Sequence, residues 1–250
     1  MSFCGNSKEV DILSKYKVFI DPGHGGSESG AVAFGMIEKN INLVVAKYLK
    51  EILQNNGFDV KLSRETDTYI GLYPRANMAN EFGADIFVSI HHNASGGDGW
   101  EIIHSMMLNK KDKSKQLAEC IGKRFTEIGQ NPRPISIYTR ESIISPGNDY
   151  YTVLRYSNMP CVITEFAFLD SDDRFIIDTN EELELEAEAI YKGICDYFGV
   201  KVNQTQEHWA EKYYQYLISK GITIYERRFD DVATRGDMFA MIARALGYKE

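Results

Sequence analysis

The 250-residue chain has few prolines (6), few cysteines (4) and no excess of basic residues, and each shortage removes a class of protein. No stretch approaches the roughly 18 consecutive apolar residues that a membrane-crossing helix needs, so no membrane span is expected. Asp and Glu outnumber Lys and Arg by 36 to 28, a formal charge of −8. Sequence-independent nucleic-acid binding runs on basic surface, so no nucleic-acid partner is expected, and an anionic polymer would have to be held by specific contacts. Cys4, Cys120, Cys161 and Cys195 show no C-x-x-C and no paired spacing, which argues against a disulfide framework or a thiolate metal site. Cys161, in "MPCVITEF", reads as a small core residue rather than a nucleophile. The start, "MSFCGNSKEVDILSKYKVF", lacks the basic lead, apolar run and small-residue cleavage site of a secretory signal. The expectation is a chain made in the cytoplasm without a signal peptide.

What is present suits an ordinary globular protein, 44% hydrophobic and 26% charged, long enough for one α/β domain and a smaller second module. "KVFIDPGHG" reads as a short buried strand over 17–20 running into a glycine-rich loop. In "IEKNINLVVAKYLKEILQNNGF", Ile41, Val44, Val45, Tyr48, Leu49 and Ile52 fall at helical spacing and Gly57 supplies the stop. Strands follow at 59–64, 86–90 and 161–164, with a helix over "YPRANMANEFG" and another closing near Phe198. Strands alternating with helices predict an open, mostly parallel twisted sheet with helices on both faces. Such sheets gather ligand groups at the carboxyl ends of their strands, and His24, His91 and Glu165 are each expected just past such an end.

A zinc hydrolase needs nitrogen and carboxylate ligands on a rigid frame, an open position for water, and a carboxylate to carry the proton. His24, Glu38, one histidine of "HHN" and Glu165 can supply these. Each has a plainer reading: a strand-to-helix turn around His24, a favourable charge at a helix start for Glu38, packing for the histidine pair. Glu165, between Thr164 and Phe166 in an apolar run, is the hardest to explain away, because a carboxylate there is costly unless paired or functional. Adjacent residues on an extended chain point to opposite sides, so only one of His91 and His92 is expected to face a metal.

Three blocks in order, "VFIDPGHGGSESGAVAFGMIEKNINLVVAKYLKEIL", "SRETDTYIGLYPRANMANEFGADIFVSIHHNA" and "MPCVITEFAFLDSDDRF", resemble the signature blocks of the zinc-dependent N-acetylmuramoyl-L-alanine amidases. The likeness covers about residues 16–199 and implies a zinc-dependent hydrolase of bacterial peptidoglycan. It implies His24, Glu38 and His91 as zinc ligands, which selects His91 over His92, and Glu165 as the catalytic carboxylate. Glu101, in "GWEI", also sits at a motif position and is expected to support the ligands rather than join them. Arg64 and Arg75 are expected to be structural, with Arg75 pairing with Asp67 or capping loop carbonyls. The resemblance implies action on the cell wall, as a phage endolysin freed by lysis or a bacterial autolysin. A zinc carboxypeptidase on stem peptides and a non-catalytic wall-binding protein are the alternatives. The segment "NPRPISIYTRESIISPGNDYYTVL" fits none of the blocks.

The pattern breaks at "KVNQTQEH", which divides a catalytic domain over 1–200 from a second module over 206–250, with a linker near 201–206. From 204 onward seven basic residues balance seven acidic ones, so the negative charge lies upstream. "HWAEKYYQYLISKGI" and "FDDVATRGDMFAMIARALG" resemble one S-layer homology unit, a helical module associated with wall polymers. That likeness implies a wall-binding role, with Trp209, Tyr213, Tyr214 and Phe239 in a small core and Arg235 as a contact; the alternative is a dimerisation module.

Overall fold

The computed structural model describes residues 16–202. Cys4 and the expected module over 206–250, with Arg235 and its aromatic residues, therefore lie outside the described residues. The strands are β1 (Lys17–Pro22), β2 (Val32–Ala33), β3 (Met36–Ile37), β4 (Asp59–Leu62), β5 (Ile86–Asn93), β6 (Trp100–His104), β7 (Pro132–Tyr138) and β8 (Cys161–Phe168). The helices are α1 (Glu38–Asn55), α2 (Leu72–Phe82), α3 (Lys111–Glu127), the short α4 (Thr152–Tyr156) and α5 (Asn180–Phe198), with a 3₁₀ turn at Asp172–Ile176. Six strands form one sheet in the order β4-β1-β5-β8-β6-β7, and β2 and β3 make a separate small hairpin. Every neighbouring pair in the large sheet is parallel except β6 with β8. This is the mostly parallel α/β sheet that the alternating pattern predicts.

Strand side chains alternate between faces, and here both faces are apolar. Val18, Ile20, Ile86, Val88, Ile90, Val162 and Phe166 enter a core shared with α1, α3 and α5. Phe19, Phe87, Ile103, Cys161 and Ile163 enter a smaller core with Ala79 of α2 and Val153 and Leu154 of α4. On α1 the buried stripe is Ile41, Val45, Leu49 and Leu53, four residues apart, and each such burial stabilises the fold by about 1.5–3 kcal/mol. A capping box of Thr179 and Glu182 starts α5, and Gly199, at φ 65°, ends it.

Two strands run further than the apolar runs suggest. β5 continues through His91 and His92 to Asn93, and β8 passes Glu165 to reach Phe168, so these residues lie within paired strands rather than just past them. The backbones of both central strands have neighbours on either side, which pair polar residues as well as apolar ones. The strand expected at 59–64 stops earlier, at Leu62: the Ser63 side chain turns to Asp21 of β1 and that of Arg64 to the loop after β1. The segment that fitted no block forms β7, a loop bridged between Glu141 and Asp149, and α4.

Candidate active site

The loop after β1, the start of α1 and the end of β5 bring His24, Glu38 and His91 together. Glu38 is the first residue of α1 and is 4% exposed, so the helix start holds its carboxylate inside the protein. Its Oε1 lies 3.0 Å from His91 Nδ1 and 3.2 Å from His24 Nε2, while Oε2 accepts a hydrogen bond of 2.8 Å from the Ala31 amide. One donor atom from each of the three residues falls within 4.8 Å of the others. Burial pushes the Glu38 carboxyl up, but hydrogen bonds and charge from both histidines outweigh it and hold the group well below the usual carboxylate range.

Two glycines explain part of the "GHGGSESG" composition. A Cβ on Gly23 would stand 2.2 Å from His91 Cε1, so only glycine lets that imidazole lie against the loop. Gly30, at φ +67°, passes so close that a Cβ would meet Glu38 Oε2 at 2.3 Å. His24 itself adopts φ 60°, a left-handed conformation uncommon for a residue with a side chain.

Two arginines clamp this loop. Arg75, fully buried, donates to Asp21 Oδ1 at 2.7 Å, to the Pro22 carbonyl at 2.8 Å and to the His24 carbonyl at 2.7 Å. Arg64 donates to the carbonyls of Pro22, Gly23 and Lys39. Capping of loop carbonyls is thus observed, but the ion-pair partner of Arg75 is Asp21 rather than Asp67. The reason is packing: α2 lies on the sheet face that carries Asp21, while Asp67 is taken by Lys39 at 2.6 Å and the Gly26 amide at 2.7 Å.

Register places three site residues in a row across the sheet. His91 pairs with Glu165 across β5 and β8, and Glu165 pairs with Glu101 across β8 and β6, so all three project from one face. The two carboxylates differ in surroundings. Glu101 receives Asn93 Nδ2 at 3.0 Å, Tyr138 Oη at 3.0 Å and Arg133 Nε at 3.1 Å. Glu165 Oε2 is enclosed with no hydrogen-bond partner among the described residues. Burial, then the charges of Glu38 and Glu101, push the Glu165 carboxyl well above its ordinary value. Two carboxyl groups side by side, one held by three donors and one with an unpartnered oxygen, are set for different tasks. His92 points the other way, into the core between Asn42 and Glu186.

The donor set fits a divalent cation. Two imidazole nitrogens and a carboxylate oxygen converge, and the unpartnered carboxylate of Glu165 stands beside His91 as a group that a cation would relieve. Asn93, Tyr138 and Arg133 carried no signal in their local sequence: Asn93 meets Glu101 from β5, and Tyr138 and Arg133 meet it from β7, whose pairing with β6 shifts register. Glu186 did carry one: it falls on the apolar stripe of α5 with Leu183, Ala187 and Ile190.

A family model described as N-acetylmuramoyl-L-alanine amidase, Amidase_3, matches residues 18–196. A sporulation-specific N-acetylmuramoyl-L-alanine amidase of Bacillus subtilis is 32% identical over 204 residues, covering 74% of this chain and 69% of its own length. An endolysin of Bacillus phage SPP1 is 35% identical over 191 residues, covering 74% and 66%. The chain thus spans about two thirds of the length of both relatives. The crystal structure of an N-acetylmuramoyl-L-alanine amidase from Clostridium difficile 630 superposes with a TM-score of 0.64 at 33% identity, covering 74% of this chain and 98% of that one.

Proposed function

The chain belongs to the Amidase_3 family of N-acetylmuramoyl-L-alanine amidases, and we propose that it hydrolyses the amide between the lactyl group of N-acetylmuramic acid and L-alanine in peptidoglycan, with zinc held by His24, Glu38 and His91. The observation that carries this reading is the convergence of those three donors next to a carboxylate, Glu165, that lacks a partner on one oxygen. Bound zinc would supply a Lewis acid that polarises the scissile carbonyl and acidifies water. Glu165 accepts the proton as water attacks that carbonyl. It then delivers the proton to the amide nitrogen, so that the C–N bond breaks and L-alanine leaves as a free amine. Glu101, paired with Arg133 and hydrogen-bonded by Asn93 and Tyr138, forms a fixed wall of the site.

Membership of this family and the absence, among the described residues, of any helix long and apolar enough to cross a membrane accord with action on the wall. The S-layer-homology likeness of 206–250 supports wall binding by that module; a pull-down of the chain, with and without 206–250, on purified walls tests it. The reaction itself is tested by digesting purified peptidoglycan and labelling new amino termini. Free L-alanine termini support the amidase. Loss of stem-peptide residues from the carboxyl end, without those termini, indicates a carboxypeptidase.

A further inference from the structure

Behind the three donors lies a polar chain that the reaction does not use. Asn42, one turn beyond Glu38 on α1, His92 on β5 and Glu186 on α5 are 0%, 1% and 0% exposed, in a core otherwise built of apolar side chains. Asn42 Nδ2 reaches Glu38 Oε1 at 3.2 Å and the Gly23 carbonyl at 3.3 Å. Both of those atoms only accept, so the amide nitrogen must face them and Asn42 Oδ1 must face His92. His92 Nδ1, 2.8 Å from that oxygen, is then the donor. Its other nitrogen, Nε2, meets Glu186 Oε2 at 3.0 Å, and the His92 backbone amide adds a contact of 3.3 Å to Glu38 Oε1.

Stability does not account for this arrangement. Glu186 Oε1 is buried with no partner among the described residues, and buried ionic pairs are commonly replaced by apolar residues without loss of stability. Groups that hydrogen-bond a metal ligand, by contrast, fix its orientation and charge. We infer that Glu186 is a positioning residue for the metal centre: acting through His92 and Asn42, it keeps Glu38 Oε1 turned toward His24 Nε2 and His91 Nδ1. The inference rests on the reading that these three residues hold zinc.

The test measures the zinc dissociation constant of the full chain by competition with a chromogenic chelator, beside the thermal midpoint of the metal-free protein. For Glu186→Leu and for the double variant His92→Leu/Glu186→Leu, affinity is expected to fall by about 10–100-fold, while the metal-free midpoint holds or rises. Glu186→Gln, whose amide still meets the imidazole, should stay within a few fold of the parent. Unchanged affinity in folded leucine variants, or a loss matched in Glu186→Gln, would overturn the inference. If the leucine variants do not fold, Asn42→Ala gives the same reading: about tenfold weaker zinc supports the link, and parental affinity refutes it. A parent chain that binds no zinc would remove the metal reading itself, a result distinct from either.

Discussion

Glu165 and His91 are register partners on adjacent parallel strands, so the unpartnered carboxylate and one of the three converging donors rise side by side from the same face of the sheet. Its other register partner, Glu101, is held by three donors while Glu165 Oε2 has none among the described residues. Glu165→Gln should therefore keep one bound zinc and lose hydrolysis by about 10²–10⁴-fold, the usual worth of a positioned proton carrier. The sign for stability is the opposite of the usual carboxylate case. A carboxyl whose folded pKa is raised favours folding below its unfolded pKa, and that contribution is lost as pH rises through the folded value. At neutral pH the metal-free Glu165→Gln protein should accordingly melt above the metal-free parent. A zinc-loaded Glu165→Gln protein that lyses walls at the parent rate would exclude the role.

His91 and His92 are neighbours in sequence with opposite directions in space. His91→Ala should abolish zinc binding and hydrolysis together. His92→Ala should still take up one zinc, more weakly, because it removes a support of Glu38 rather than a donor. Zinc retained by His91→Ala and lost from His92→Ala, measured by elemental analysis after dialysis, would reverse the assignment.

Gly23→Ala places a methyl group where the His91 ring lies, 2.2 Å from Cε1. Zinc affinity should drop by roughly 10–100-fold, as for other changes that disturb a ligand's support. Gly83→Ala is the control. It forces φ +68° on a residue with a side chain but meets nothing within 4 Å, so it should cost about 1–2 kcal/mol of stability and leave zinc affinity alone. Equal zinc affinity in the two variants would show that the close approach of Gly23 and His91 is dispensable.

The Asp21 and Arg75 pair should contribute to stability against acid. Burial pushes the Asp21 carboxyl up, but the Arg75 charge and hydrogen bonds from Ser63, Ser89 and Arg75 outweigh it and hold the group below its ordinary value. A carboxyl lowered on folding adds stability above its unfolded pKa of about 3.9, and that stability is lost as pH falls through the folded value. Urea unfolding should show the parent weakening as pH drops below about 4, with a shallower fall in Asp21→Asn. Arg75→Ala, which leaves Asp21 as an uncompensated buried charge, should lose about 3–5 kcal/mol at neutral pH. Identical pH slopes in the parent and Asp21→Asn would contradict the pairing.

Much of this site was legible in the sequence because its pieces sit where local rules expose them. Glycines mark the loop that carries His24, a helix start marks Glu38, and a carboxylate in an apolar run marks Glu165. The parallel sheet follows from the alternation of strand and helix patterns. Long-range register was not legible. That Glu101 and Glu165 oppose each other, and that Tyr138 and Arg133 reach Glu101, depends on one antiparallel pairing and one register shift, neither written in a local window. Of the two readings of Arg75, capping of loop carbonyls is seen and pairing with Asp67 is not, since its acidic partner, Asp21, lies 54 residues away and meets it only through the packing of α2 on the sheet. Glu186 stood in plain view on the apolar stripe of α5, yet its meaning depends on His92, 94 residues earlier.

Zinc titration into the chelator-stripped full chain acting on purified peptidoglycan, with released L-alanine amino termini as the readout, is the decisive measurement of zinc-dependent amide hydrolysis at this site. No termini are expected without metal, with a rise that levels off at one equivalent of zinc and a flat response from His91→Ala. Metal-free protein releasing L-alanine termini at the rate of the zinc-loaded chain would rule out a zinc-dependent reaction here.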